Sequence, residues 1–135
     1  MRDNNLIATT RDDGSVDDMN LVYWDFRFSN ICNFKCRSCG PQLSSGWYKD
    51  FKQLNNGVLP PNCPDPDRPI TFWEQIEPLF DSVEQIYFAG GEPLLMEEHY
   101  RILNRLIELG KTDVHIRYNT NFSVMKYKGQ DVIEL

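Results

Sequence analysis

The residues best equipped for chemistry lie together: Cys32-Asn33-Phe34-Lys35-Cys36-Arg37-Ser38-Cys39, three cysteines in the spacing C-x3-C-x2-C. A loop this short can wrap one cubane and offer a thiolate to each of three irons, which leaves the fourth iron without a protein ligand. An open iron can take a cofactor or a substrate, whereas a cluster with four cysteine ligands usually carries electrons. Two other readings compete. A structural zinc would need a fourth ligand, which Cys63 in a proline-rich stretch could supply. Zinc ribbons, however, pair two C-x2-C knuckles, and Cys63 stands alone. Reduced, metal-free thiols are the blandest reading, but three such close cysteines seldom arise from packing. For Cys63 itself, an unliganded loop thiol is the default.

A loop of this kind needs a scaffold, and the surrounding pattern describes one. Leu21 to Phe28 is rich in strand-favouring residues and alternates poorly at one end, which predicts a strand covered on both faces. A helix fits residues 44–54, with Trp47, Phe51 and Leu54 on one side, Ser44 or Ser45 as cap and Asn55-Asn56-Gly57 as stop. The five prolines in residues 58–69 predict an irregular excursion. Thr71 and Glu74 suggest a capping box for a second helix, which Pro78 would kink or end early. Val83 to Ala89 reads as a strand that runs into Gly90-Gly91-Glu92-Pro93. Residues 96–109 form the clearest helix, with Tyr100, Leu103, Leu106 and Ile107 on one face and Gly110 at its end. In a third strand Val114, Ile116 and Tyr118 alternate with His115, Arg117 and Asn119, and a last helix is expected to begin near Gln130.

The order strand, helix, strand, helix, strand predicts an α/β fold with a parallel sheet and right-handed crossovers. Three βα units are too few to close an eight-stranded barrel. Residues 1–20 are polar and acidic and read as a flexible lead-in, with residues 21–135 forming one truncated domain. Such a sheet would leave an unpaired edge, so a longer polypeptide or a partner is expected. The net charge of −6 argues against a nonspecific nucleic-acid surface. No apolar run approaches the ~20 residues of a membrane helix, and Met1-Arg2-Asp3-Asn4-Asn5 lacks a signal-peptide pattern. The expected compartment is the cytoplasm, where clustered thiols stay reduced.

The cysteine loop, together with Tyr87-Phe88-Ala89-Gly90-Gly91-Glu92-Pro93, resembles the radical SAM superfamily. Cys39-Gly40-Pro41 with Ser44, Ser45 and Trp47, then Gly90 to Leu95, then Arg117-Tyr118-Asn119-Thr120-Asn121, resembles the branch with a twitch-type extension, close to the SPASM peptide-modifying enzymes. The resemblance covers roughly residues 21–125 and implies a partial (β/α) barrel, of which this chain would hold the first three βα units. It implies that Cys32, Cys36 and Cys39 ligate a [4Fe–4S] cluster, and that Gly90, Gly91, Glu92 and Pro93 contact the amino group of S-adenosylmethionine, largely through backbone carbonyls. Asn119 and Asn121 would face the same cofactor.

The implied activity is reductive cleavage of S-adenosylmethionine to a 5′-deoxyadenosyl radical, which takes a hydrogen atom from an unknown substrate, a peptide or protein in the SPASM-like case. The electron would come from an external donor of flavodoxin or ferredoxin type. The alternative is a non-catalytic module with a structural zinc or an inert cluster. Ser38 departs from the family, which usually has an aromatic residue there against the adenine. Independently of the resemblance, each of the three motifs directly follows a predicted strand, where βα folds gather their active sites. Gly90 and Gly91 are expected to let backbone approach a ligand closely. His99 is expected on the solvated surface and His115 in a packing role, while Asp25 and Arg27 could face the barrel interior, either as a structural pair or as a substrate contact.

Overall fold

The computed structural model describes residues 10–17, 20–64 and 71–135. Much of the expected lead-in (1–9, 18 and 19) and the end of the proline-rich stretch (65–69) lie outside the described residues.

Three strands, β1 (Tyr23–Phe26), β2 (Gln85–Phe88) and β3 (His115–Tyr118), form a parallel sheet in the order β1-β2-β3. Trp24, Ile86 and Ile116 stand in one row of the register, and Phe26, Phe88 and Tyr118 in the next. The element order agrees with the α/β expectation, and the sheet is compatible with a partial β/α fold. Each strand is only four residues long, shorter than the apolar pattern suggested.

The period-2 rule decides what each face of the sheet does. Trp24, Ile86 and Phe88 point into a core with Phe80, Val83, Ile102, Leu103 and Leu106, and Phe26, Ile116 and Tyr118 pack against it. Ile86, Phe88 and Ile102 are wholly buried, each contributing about 1.5–3 kcal/mol relative to exposure. The opposite face carries Tyr23, Asp25 and Arg27 from β1 and its loop, Gln85 and Tyr87 from β2, and His115 and Arg117 from β3, and none of these is buried. β1 is therefore covered on one face, not both. His115 sits exposed on the polar face rather than in a packing role, and Arg27 pairs with Asp25 at 3.1 Å on that same face.

The helices supply the cover. α1 (Tyr48–Leu54) follows a 3-10 turn at Ser45–Trp47, and the Ser44 hydroxyl caps that turn by accepting from Gly46 N. Asn56 and Gly57, both at positive φ, end α1 as expected. α2 (Trp73–Ile76) is a single turn that passes at Glu77 into a 3-10 segment containing Pro78, the predicted early end. No side chain caps α2, so the Thr71–Glu74 capping box does not form. α3 (Glu97–Glu108) lays Tyr100, Ile102, Leu103 and Leu106 into the core, while Ile107 stays half exposed.

In place of the helix expected near Gln130 there is a hairpin, β4 (Lys126–Tyr127) with β5 (Gln130–Asp131). Lys128 and Gly129 both take positive φ, as a tight two-residue hairpin turn demands. Tyr127 stacks on Tyr100, and Gln130 donates to Asn104, so tertiary contacts with α3 hold the hairpin. Among the described residues no helix is long and apolar enough to cross a membrane.

Candidate functional site

Parallel strands end on the same side of a sheet, so the loops after β1, β2 and β3 meet. The loop after β2 is stitched directly to the stem of the cysteine loop. Gly91 N donates to Ser29 O at 2.9 Å, and Glu92 N donates to Ile31 O at 2.7 Å. Gly90 takes φ +105°, a conformation that side chains rarely adopt. A Cβ on Gly91 would fall 2.1 Å from Ile31 O and 2.6 Å from Asn30 C. The two glycines thus permit the approach of the neighbouring loop's backbone.

Glu92 joins this pair of loops to the third. Its carboxylate is 1% exposed. Oε1 accepts from Leu94 N, capping the turn at Pro93–Leu95, and from the Thr120 hydroxyl at 2.5 Å; Oε2 accepts from Asn121 N at 2.7 Å. A buried carboxylate needs such partners, and with three donors in place its role here is to hold the loop after β3. Asn121 then reaches the cysteine loop, with Nδ2 donating to Asn33 Oδ1 at 3.0 Å and lying 3.8 Å from Cys32 Sγ. Asn119 donates its backbone N–H to Phe88 O, and its side chain is exposed.

The cysteine loop has no regular secondary structure between Arg27 and Pro41 apart from turns, and its backbone is held by side chains. Ser44 Oγ donates to Phe34 O, Cys32 N donates to Ser45 Oγ, and Trp47 Nε1 donates to Cys36 O. Below it, buried Asn30 donates from Nδ2 to both Pro41 O and Tyr48 Oη, while its Oδ1 has no partner. Cys32 and Cys39 are part-exposed, Cys36 is exposed, and all three are free thiols, as is Cys63. Their donor chemistry fits an iron–sulfur cluster. Among the described residues no three His, Cys, Asp or Glu side chains are placed to hold a single metal ion; a cubane asks for a different arrangement, with each thiolate on its own iron.

His99 was expected at the surface and is fully buried. It shares a 2.8 Å hydrogen bond with the Tyr118 hydroxyl, and its Nδ1 has no partner. Burial lowers its pKa to about 4 and raises that of Tyr118. The spacing of His99, Ile102, Leu103 and Leu106, at i, i+3, i+4 and i+7, carries the signal for this burial. Thr120, Asn33 and Ser123, which complete the network, escaped the sequence reading because their partners are distant in the chain. A cavity of about 530 Å³ lies elsewhere, against α3, lined by Trp73, Arg101, Arg105 and Tyr127 among others, and includes none of the three loops.

Comparison with known proteins gives one relevant likeness. The chain is 24% identical over 112 residues to a GTP 3′,8-cyclase from Campylobacter lari, a match that spans 83% of this chain and 31% of that protein. The chain therefore spans about a third of the length of the curated relative it matches. The likeness supports the radical SAM superfamily. No family model matches the chain, and no solved structure matches it.

Proposed function

We propose that this chain carries the cluster-binding and cofactor-binding end of a radical SAM enzyme. The observation that carries the reading is the joining of three strand-end loops through Glu92: the loop with the three cysteines, the loop Gly90-Gly91-Glu92-Pro93, and the loop Asn119-Thr120-Asn121. The likeness to the cyclase supports it independently.

In this reading Cys32, Cys36 and Cys39 hold a [4Fe–4S] cluster and leave one iron open. Backbone carbonyls of Gly90 to Pro93 bind the amino group of S-adenosylmethionine, and Asn119 contributes from the end of β3. When bound, the cluster and S-adenosylmethionine supply one-electron cleavage of the cofactor and hydrogen-atom abstraction from a substrate. The Glu92 carboxylate positions backbone and does not itself contact the cofactor. Ser38 offers no aromatic surface to an adenine. The twitch-type branch, and with it a peptide or protein substrate and an external flavodoxin-type or ferredoxin-type donor, is supported by Cys39-Gly40-Pro41 and Arg117-Tyr118-Asn119-Thr120-Asn121.

Anaerobic reconstitution of the chain with iron and sulfide tests the reading. A cluster with visible absorbance should form and be lost in Cys36→Ala. After reduction with S-adenosylmethionine present, chromatography should detect 5′-deoxyadenosine, if not from this chain then from a longer one that contains it. Tightly bound zinc with no cluster would overturn the reading in favour of a structural metal module.

A further inference from the structure

The three thiols are not equivalent. Cys32 Sγ meets two donors, the backbone N–H of Phe34 at 3.4 Å and the Asn121 carboxamide at 3.8 Å. Among the described residues neither Cys36 Sγ nor Cys39 Sγ accepts a hydrogen bond. The orientation of the carboxamide is over-determined. Asn121 Oδ1 accepts from both Ser123 N, at 3.0 Å, and Ser123 Oγ, at 2.6 Å, so its acceptor end is assigned. The NH₂ end must then face Asn33 Oδ1 and the Cys32 sulfur. Asn33 closes the ring by donating to Ser123 Oγ, and Asn121 N is anchored on Glu92.

We propose that Asn121 is a positioning residue whose carboxamide donates to the Cys32 sulfur and raises the reduction potential of the cluster bound there. The proposal rests on the radical SAM reading above and departs from a direct Asn121 contact with S-adenosylmethionine. An N–H donor draws charge from a thiolate, which stabilises the reduced cluster, the state with the extra electron, more than the oxidised one. Hydrogen bonds to the sulfurs are among the main determinants of such potentials. An external one-electron donor, dithionite in the test, then reduces the cluster more readily. Cys32, rather than Cys36 or Cys39, is the ligand through which the protein acts.

Two measurements on the full chain decide it. In an EPR-monitored titration of the reconstituted chain, Asn121→Leu should lower the reduced-to-oxidised ratio at a fixed poise by up to about tenfold, or about 59 mV for one electron. Ser123→Ala, which keeps the donor, should shift it less. In the metal-free chain, the ¹⁵N carboxamide resonance of Asn121 should move in Cys32→Ala and stay in place in Cys36→Ala. An unchanged potential in Asn121→Leu, or a carboxamide resonance indifferent to Cys32→Ala, overturns the proposal. A chain that takes up no cluster removes the radical SAM reading and the redox role with it, while the resonance still decides the contact between Asn121 and Cys32.

Discussion

The loops after β1 and β2 end neighbouring strands and are hydrogen-bonded to each other, yet they are built in opposite ways. The loop after β2 is a buried platform. Glu92 and Leu94 are 1% exposed, Tyr100 Oη donates to Leu94 O beneath them, and Gly91 has no room for a methyl group. The loop after β1 is an exposed arm: residues 33–38 are open to solvent, and its thiols are free. In the proposed function the two loops have different tasks. Backbone that binds a ligand has to be held in place before the ligand arrives. Thiols that take up iron and sulfide have to be reachable from solvent, which a tightly packed loop would not allow.

The sharpest way to break this contrast is Gly91→Ala. Its Cβ would meet backbone atoms of Asn30 and Ile31, which cannot rotate away as a side chain could. A loss of about 3 kcal/mol or more is expected in denaturant unfolding. An unchanged midpoint would mean that the platform is not rigid.

Acid should act on the platform side and spare the arm. His99 lies in α3, the helix that follows the loop after β2. Its pKa is about 4 when folded, because burial disfavours the charged ring, against about 6.5 when unfolded. The unfolded chain therefore takes up the proton first as pH falls. The stability that neutral His99 confers is complete above pH 6.5 and is lost between pH 6.5 and 4, by up to about 3 kcal/mol. In His99→Phe the unfolding free energy should vary less with pH across that window.

Glu92→Gln sets an amide NH₂ against N–H and O–H donors and removes a charged acceptor, so a loss of about 2 kcal/mol is expected. Proton exchange at Asn121 N should also speed up, because its acceptor is Glu92 Oε2. The smallest effect belongs to the arm. In the metal-free chain Cys36→Ala should change stability by no more than about 0.5 kcal/mol, because the thiol is exposed. A large loss there would mean that the cysteine loop is packed after all.

The order of the elements and the place of each motif were legible in the sequence, because both depend on residue type and short period. Some misreadings were also local. His115 and Arg117 already alternated with Ile116 and Tyr118, so the polar face of β3 was visible in the pattern. Lys128-Gly129 between short strand segments was a hairpin signal that the helix expectation overrode. The capping box at Thr71 failed for a different reason: α2 is one turn long, its length is set by Pro78 and by packing, and no local rule measures that.

Cysteine spacing, the paired glycines and the strand periodicity place the three motifs at one end of the sheet, since side-chain identity and alternation need no distant partner. That the Glu92 carboxylate clasps the loop after β3, that Gly91 admits a neighbouring loop, and that Asn121 reaches Cys32 across 89 positions were settled only by the fold. Hydrogen bonds between residues so far apart leave no periodic trace in the chain, and they exist only because three parallel strands deliver their loops to one side.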